Sequence, residues 1–300
     1  MNHSNSLKAH NAHKAPKRPN IGYTAAQSIL KNELKYIDKW LDYTEGLDFR
    51  VLLDTGSDDG SWEYLQKRAK DDSSIIIDQL ILQEFRFDIV RDKNHSMVPE
   101  EVQWCFAPDL DEYFSVNTLD ELEKFLGLYP SMTNMACTRL DIYSPEVFVG
   151  PPRHLGSNKI FRFKDYKWKS RIYEHLSYIQ PTPQSSEVEI HNPNVYLVHD
   201  QDYKKTSTHR NPLYKKLLEQ SRDEENSYDF HWTGWFLCNL YFKEQDLYNY
   251  IRTAIKWLPV CTEPEKYAQT LQFLKRILEF NPPELSTSLR SDLRSFIEIV

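Results

Sequence analysis

Phe49-Arg50-Val51-Leu52-Leu53-Asp54-Thr55-Gly56-Ser57-Asp58-Asp59-Gly60-Ser61 is the stretch on which the fold turns. An apolar run of strand length stops at a turn rich in Gly, Ser and Asp. Gly60-Ser61 then opens residues 62–68, which read as helix. A second junction of the same kind follows 55 positions later, where Val102-Gln103-Trp104-Cys105-Phe106-Ala107-Pro108 runs into Asp109-Leu110-Asp111-Glu112. Carboxylates at the carboxyl ends of strands in an α/β sheet project into the crevice where ligands bind. Asp-x-Asp in an extended conformation places both side chains on one face. Such a pair suits a hard divalent cation and, through it, a diphosphate.

Outward from these turns the chain alternates. Residues 21–30 read as a first strand that breaks at Lys31-Asn32-Glu33, and Leu34, Ile37, Trp40 and Leu41 have helical spacing. Residues 74–77 and 104–107 are further strands, and 87–94 reads as a loop between the two acidic turns. Thr118 starts a helix, with Thr118-Leu119-Asp120-Glu121 as a capping box. Strand-like pieces follow at 135–143, 159–163 and 195–198, with a loop at 181–186. From residue 208 onward the apolar spacing is helical throughout, enough for four or five helices. The expectation is therefore α/β: a mostly parallel sheet flanked by helices, then an all-helical C-terminal region. The domain bounds are a polar, disordered arm at 1–19, a core at 20–207 and a helical tail at 208–300.

Composition narrows the class. The chain has 300 residues, 40% hydrophobic and 13% aromatic, enough for one sizeable core and an appendage. A net charge of −7 argues against nucleic acid as a partner. Cys105, Cys137, Cys238 and Cys261 are far apart with no Cys-x-x-Cys spacing, so neither a disulfide framework nor a zinc site is expected. A reducing, cytoplasmic location fits best, with no apolar run long enough to span a membrane and no signal-peptide core. Gly-x-Gly-x-x-Gly, Walker and Gly-x-Ser-x-Gly signatures are missing.

Each chemical residue carries two readings. Asp54 to Ser61 is a plain strand-to-helix turn, or Asp54 accepts hydrogen bonds from a nucleobase or ribose. It is not an EF-hand, because Leu65 stands where the bidentate Glu belongs. Asp109-Leu110-Asp111-Glu112 is a solvated turn, or its mutually repelling carboxylates hold Mg²⁺ or Mn²⁺. Arg91 and Lys93 are solvated, or neutralise a diphosphate. Glu174 is an ion-pair partner of Lys169 or Arg171, or a general base. His199, after Val195-Tyr196-Leu197-Val198, is a hydrogen-bonded structural residue or a third metal ligand.

In order and spacing, Lys31-Asn32-Glu33, Trp40-Leu41, residues 53–61 and Asp109-Leu110-Asp111-Glu112 resemble family 2 glycosyltransferases of GT-A fold. The likeness is to a bacterial branch with a helical, often tetratricopeptide-like, tail. Phe87-Asp88-Ile89-Val90-Arg91-Asp92-Lys93-Asn94, Trp168 with Ile172-Tyr173-Glu174, and Leu197-Val198-His199 match further segments of that branch. The resemblance covers roughly residues 21–260 and implies a nucleotide-sugar donor and a divalent cation, Mn²⁺ or Mg²⁺. It places Glu33, Asp54, Ser57 and Asp59 at the nucleoside end, Arg91 and Asp109 at the diphosphate, and Asp109, Asp111 and His199 at the metal. Glu174 becomes the base of an inverting transfer, although Tyr173 stands where the family usually has His. The acceptor is a glycan, a lipid-linked group (with peripheral membrane association) or a protein, and the tail is a candidate for self-association. Two rivals stay open: an inactive GT-A-like chain serving as a helical binding module, and a sugar nucleotidyltransferase. The second requires a Gly-rich loop to cradle a triphosphate, and this sequence has none near its first strand.

Overall fold

The computed structural model describes residues 18–143, 148–149, 153–154, 159–172, 174–201, 211–224, 228–283 and 285–299. Most of the polar arm and the expected junction near 207–208 lie outside these residues, while Arg18 begins an ordered turn and pairs with Asp120 at 2.5 Å. The chain divides into two compact units, Met1–Lys169 with His175–Lys204, and Ser170–Glu174 with Lys205–Val300.

The first unit is built from β1 (Tyr23–Leu30), α1 (Leu34–Tyr43), β2 (Phe49–Asp54), α2 (Ser61–Asp71), β3 (Ile75–Gln79), α3 (Phe87–Ser96) and β4 (Val102–Phe106). It continues through β5 (Glu112–Phe114), α4 (Thr118–Leu128), β6 (Asn134–Tyr143), β7 (Phe148–Val149), β8 (Arg153–His154) and β9 (Ile160–Arg162). A hairpin of β10 (Tyr166–Lys169) and β11 (His175–Tyr178) precedes β12 (Glu189–Gln201). Among the described residues the main sheet runs β3-β2-β1-β4-β9-β6-β12-β5, with β7 and β8 on β6. The β3-β2-β1-β4 half is parallel, as crossovers through α1, α2 and α3 require. β9 enters antiparallel to both β4 and β6, and β12 lies parallel to β6.

Burial on both faces explains the near-continuous apolar strands. Ala25, Val51 and Cys105 face one cluster, whereas the next residues along, Ala26 and Leu52, face the layer under α1 and α2. α1 buries Tyr36, Ile37, Trp40 and Leu41, and the Trp40 indole donates to Pro108 O at 3.2 Å, which ties this helix to the acidic turn after β4.

Two local readings are corrected. Residues 87–94 belong to a helix, not a loop: α3 buries Val90, Arg91 and Asn94, a face with one apolar residue that hydrophobic periodicity does not register. The capping box is not formed. Asn117 holds the N-cap of α4, the Thr118 hydroxyl donates back to Ser115 O, and Glu121 accepts from Asn192 and Asn194.

The second unit holds α5 (Asn211–Asp223), α6 (Tyr228–Lys243), α7 (Leu247–Trp257), α8 (Pro264–Phe280) and α9 (Thr287–Ile299). Leu237, Ile251, Trp257, Leu274 and Leu293 are buried within it, and Arg171 pairs with Glu224. Asp246 caps α7 by accepting from Asn249 N at 3.1 Å. No helix among the described residues is long and apolar enough to cross a membrane.

Gly234 in α6 lies against the fully buried Trp257; a Cβ there would stand 2.1 Å from the ring. Gly234→Ala is expected to destabilise the protein by about 2 kcal/mol in urea unfolding, against the ~1 kcal/mol gain of Gly→Ala in a free helix. A raised midpoint would show that α6 and α7 are not this close. His95 of α3 sits against Phe163 with ring centroids 4.5 Å apart, and burial pushes its imidazole down to about 4. The folded state thus holds it neutral, so this contribution is intact above pH 6.5 and is lost as pH falls from there towards 4. His95→Gln should remove about 2 kcal/mol of the stability lost between pH 6.5 and 4.5; equal pH slopes for variant and wild type would refute the assignment.

Candidate functional site

The turns after β1 and β2 are stitched to one another. Thr55 donates to Leu30 O through both its backbone N and its hydroxyl, each at 2.9 Å. Asn32, at φ 58°, donates its backbone N to Ser57 Oγ at 2.8 Å and accepts from Asp58 N at 2.9 Å. Glu33 N donates to Ser61 Oγ, and Leu34 N to Asp59 Oδ2, each at 3.2 Å. Asp59 also accepts from Ser61 N at 3.0 Å, so one carboxylate receives the amino ends of α1 and α2. Burial opposes its charge, but the bonds from Ser61 and Leu34 prevail and hold its carboxyl below the usual range. Ser57 and Asp59 therefore shape the turn, and Glu33 is half-buried at its rim.

Asp54 is fully buried at the carboxyl end of β2. Its Oδ1 accepts from Gly56 N, Ser57 N and Gln79 Nε2 at 2.9, 3.0 and 2.9 Å. Its Oδ2 is buried with no hydrogen-bond partner. An orphan acceptor of this kind costs about 1–3 kcal/mol unless a donor reaches it.

The second acidic turn is a charge lattice. Arg91 Nη2 donates to Asp109 Oδ1 at 2.6 Å, with its guanidinium 5.0 Å from the Trp168 ring centroid. Lys159 reaches Asp109 at 3.3 Å and Glu112 at 2.9 Å. Glu112 is paired with Arg139 at 3.4 Å and accepts from Asp109 N at 3.0 Å. Arg139 Nε donates to Asp141 at 2.8 Å. His199 lies between Asp141, at 3.1 Å from Nδ1, and Asp111, at 3.4 Å from Nε2, with Arg139 also against Nδ1. Asp200 N donates to Asp111 O, and the Asp200 side chain pairs with Lys39 at 2.8 Å.

Strand register assembles this group. His199 on β12 stands opposite Glu112 on β5 and opposite Asp141 on β6, and Arg139 and Asp141 are alternate residues of one strand face. Burial would neutralise Asp109, yet Lys159 and Arg91 hold its carboxyl well below the carboxylate range. Burial also works against the Lys159 charge, but Asp109 and Glu112 more than reverse it. The His199 imidazole behaves alike: burial lowers its basicity, and Asp111 raises it past its ordinary value.

Of the expected metal ligands, Asp111 and His199 converge, while Asp109 is engaged by two cations. No cluster of three or more ligand-type side chains surrounds one point among the described residues. An aspartate oxygen beside an imidazole Nε2, with Asp141 behind the other ring nitrogen, is nevertheless a donor pair that a divalent cation fits. Glu174 is half-buried in the segment Ser170–Glu174 of the second unit, whereas the acidic cluster belongs to the first; Tyr173 lies outside the described residues. Sequence reasoning overlooked Lys159, Arg139 and Asp141. A cavity of about 580 Å³ opens at the amino ends of β1 and β4 beside Ile21, Trp104 and Arg162, and none of the acidic-turn carboxylates lines it.

No family model matches the chain, and no curated protein matches it by sequence. Solved structures do resemble it. S. aureus TarS (residues 1–349) in complex with UDP-GlcNAc matches with a TM-score of 0.51 and 13% identity, over 92% of this chain and 90% of that one. GalNAc-T7 with UDP, GalNAc and Mn²⁺ matches with a TM-score of 0.51 and 8% identity, over 84% of this chain and 55% of that one. At such identities the likeness shows the fold: a GT-A α/β sheet flanked by helices and, later in the chain, C-terminal helices.

Lys159→Met leaves Asp109 and Glu112 short of their shared cation and is expected to cost about 3 kcal/mol of folding stability. Lys93→Met, removing a half-exposed pair with Asp78, should cost under about 1 kcal/mol. Equal losses in chemical denaturation would show that the lattice is not a special stabiliser.

Proposed function

We propose that the protein is a glycosyltransferase that moves a sugar from a nucleoside diphosphate donor to an acceptor hydroxyl. The observation that carries this reading is the buried, unpaired Asp54 Oδ2 on the same carboxyl edge of a GT-A sheet as the Asp111–His199 pair. TarS and GalNAc-T7 were solved with UDP-GlcNAc and with UDP, GalNAc and Mn²⁺, which supports such a donor.

In this reading Asp54 Oδ2 accepts an N–H of the base or a ribose hydroxyl, which removes its desolvation cost. Glu33 lies beside the nucleoside, and Ser57 and Asp59 keep that turn in shape. Arg91 and Lys159 fix Asp109 at the donor side. Asp111 and His199 hold a divalent cation, with Asp141 orienting the imidazole. When bound, that cation supplies charge to the departing diphosphate. Glu174 takes the proton of the acceptor hydroxyl, whose oxygen forms a bond to the anomeric carbon. The bond from that carbon to the diphosphate oxygen breaks with inversion. The GT-A core and helical tail divide near residues 207–208, and the tail serves acceptor recognition or self-association. A cytoplasmic site of action accords with four free cysteines among the described residues.

A sugar nucleotidyltransferase is disfavoured because the turn after β1 is Lys31-Asn32-Glu33, without the glycines that let a backbone wrap a triphosphate. In a thermal-shift screen, UDP or GDP with Mn²⁺ at about 100 times Kd should stabilise by about 2.7 kcal/mol and raise the midpoint by several degrees. Asp111→Asn should lose the Mn²⁺-dependent part of the shift and keep the fold. No shift with any nucleoside diphosphate and Mn²⁺ would return the inactive binding module as the better reading.

A further inference from the structure

The helical unit carries a second kind of surface. α6 contributes Trp235, Asn239 and Phe242, α8 contributes Gln269 and Phe273, and α7 contributes Tyr250 to the lining of a cavity of about 160 Å³. Phe242 and Phe273 meet edge to face at 5.2 Å, and Tyr250 and Phe273 at 5.0 Å. The remaining lining, Cys238 and Thr270, adds no charge. Phe242 is 55% exposed, a large ring left in water beside a cleft it helps to form. Asn239 Nδ2 donates to Trp235 O at 2.9 Å, which fixes the amide; its carboxamide oxygen is an acceptor, and the exposed Gln269 amide offers both donor and acceptor.

From this lining we infer that the groove binds one neutral pyranose unit of a glycan. A charged ligand would lose its hydration with no counter-charge to replace it. A hydrocarbon chain would cover the Asn239 carboxamide oxygen without pairing it, at about 1–3 kcal/mol. A pyranose meets both demands, since its C–H face packs on aromatic rings while its hydroxyls exchange hydrogen bonds with amides. Aromatic walls with a few fixed polar groups are the usual construction of a small-ligand site. That the bound glycan is the acceptor rests on the glycosyltransferase reading; that the groove binds a sugar does not.

The test is saturation-transfer NMR on the full chain with maltotriose, cellotriose, chitotriose and mannotriose as probes, with the nucleotide thermal shift measured on the same samples. Transfer is expected onto ring C–H protons of at least one trisaccharide. Phe242→Ala and Gln269→Ala should each weaken that binding at least fivefold, while Phe242→Trp keeps it, with the nucleotide shift unchanged in all three. Absence of transfer to every probe, or equal affinity in Phe242→Ala, Gln269→Ala and wild type, overturns the inference. Saccharide binding without any nucleotide shift leaves the groove standing and removes the transferase reading; the converse removes the groove alone.

Discussion

Lys159 holds two carboxylates, Asp109 at 3.3 Å and Glu112 at 2.9 Å, and the carboxyl edge of the sheet is organised around that bridge. A turn with three acidic residues in four positions repels itself. It is tolerable because cations arrive from elements remote in sequence: Arg91 from α3, Lys159 ahead of β9, and Arg139 from β6. Asp109, Asp111, Glu112 and Asp141 then face these fixed charges with His199 between two of the carboxylates. Four carboxylates against three permanent cations leave one negative charge, and it falls where Asp111 meets His199. A site so balanced holds its own geometry and still favours one further positive charge.

The two acidic turns accordingly differ in kind. The first satisfies itself through backbone N–H groups, with Ser57, Asp59 and Asn32 consumed in joining the ends of β1 and β2. The buried Oδ2 of Asp54 is left over. An orphan acceptor held in this way discriminates by whether a ligand brings a donor, because a mismatch leaves it desolvated and unpaired. The second turn satisfies itself through side chains, and its leftover is charge. Hydrogen-bond complementarity and charge complementarity thus occupy neighbouring strand ends of one sheet edge.

What the sequence disclosed follows from which signals are local. β1 to β4 and α1 are legible because their burial is apolar and periodic, and both acidic turns are legible as breaks in that pattern. α3 is illegible because the residues it buries, Arg91 and Asn94 beside Val90, look like those of a solvated loop. β12 is longer than its apolar core at 195–198, since Pro193 and a register shift between Asn192 and Tyr196 interrupt the alternation. Arg139, Asp141 and Lys159 join the site only through strand order and register, and a single sequence carries no direct mark of either. His199 was visible as a strand-end histidine, but its two carboxylate neighbours come from other segments.

If the protein acts as proposed, the linings of the two units suit different parts of that glycosyl transfer. A diphosphate has charge that must be met after its water is removed, and only fixed cations or a metal can meet it in a partly buried crevice. In the first unit the fixed cations are already paired with carboxylates, so in the proposed reaction the charge of the diphosphate would be met by the further cation that Asp111 and His199 would hold. A sugar presents hydroxyls and a C–H face, so charges would cost it hydration with little return. The groove of the second unit excludes charge and pairs aromatic rings with two amides. Had one of these linings appeared alone, either a nucleotide site or a lectin-like surface would have sufficed to explain it. Their coexistence in one chain, each matched to a different part of the proposed reaction, is the physical reason to extend that proposal to the helical unit.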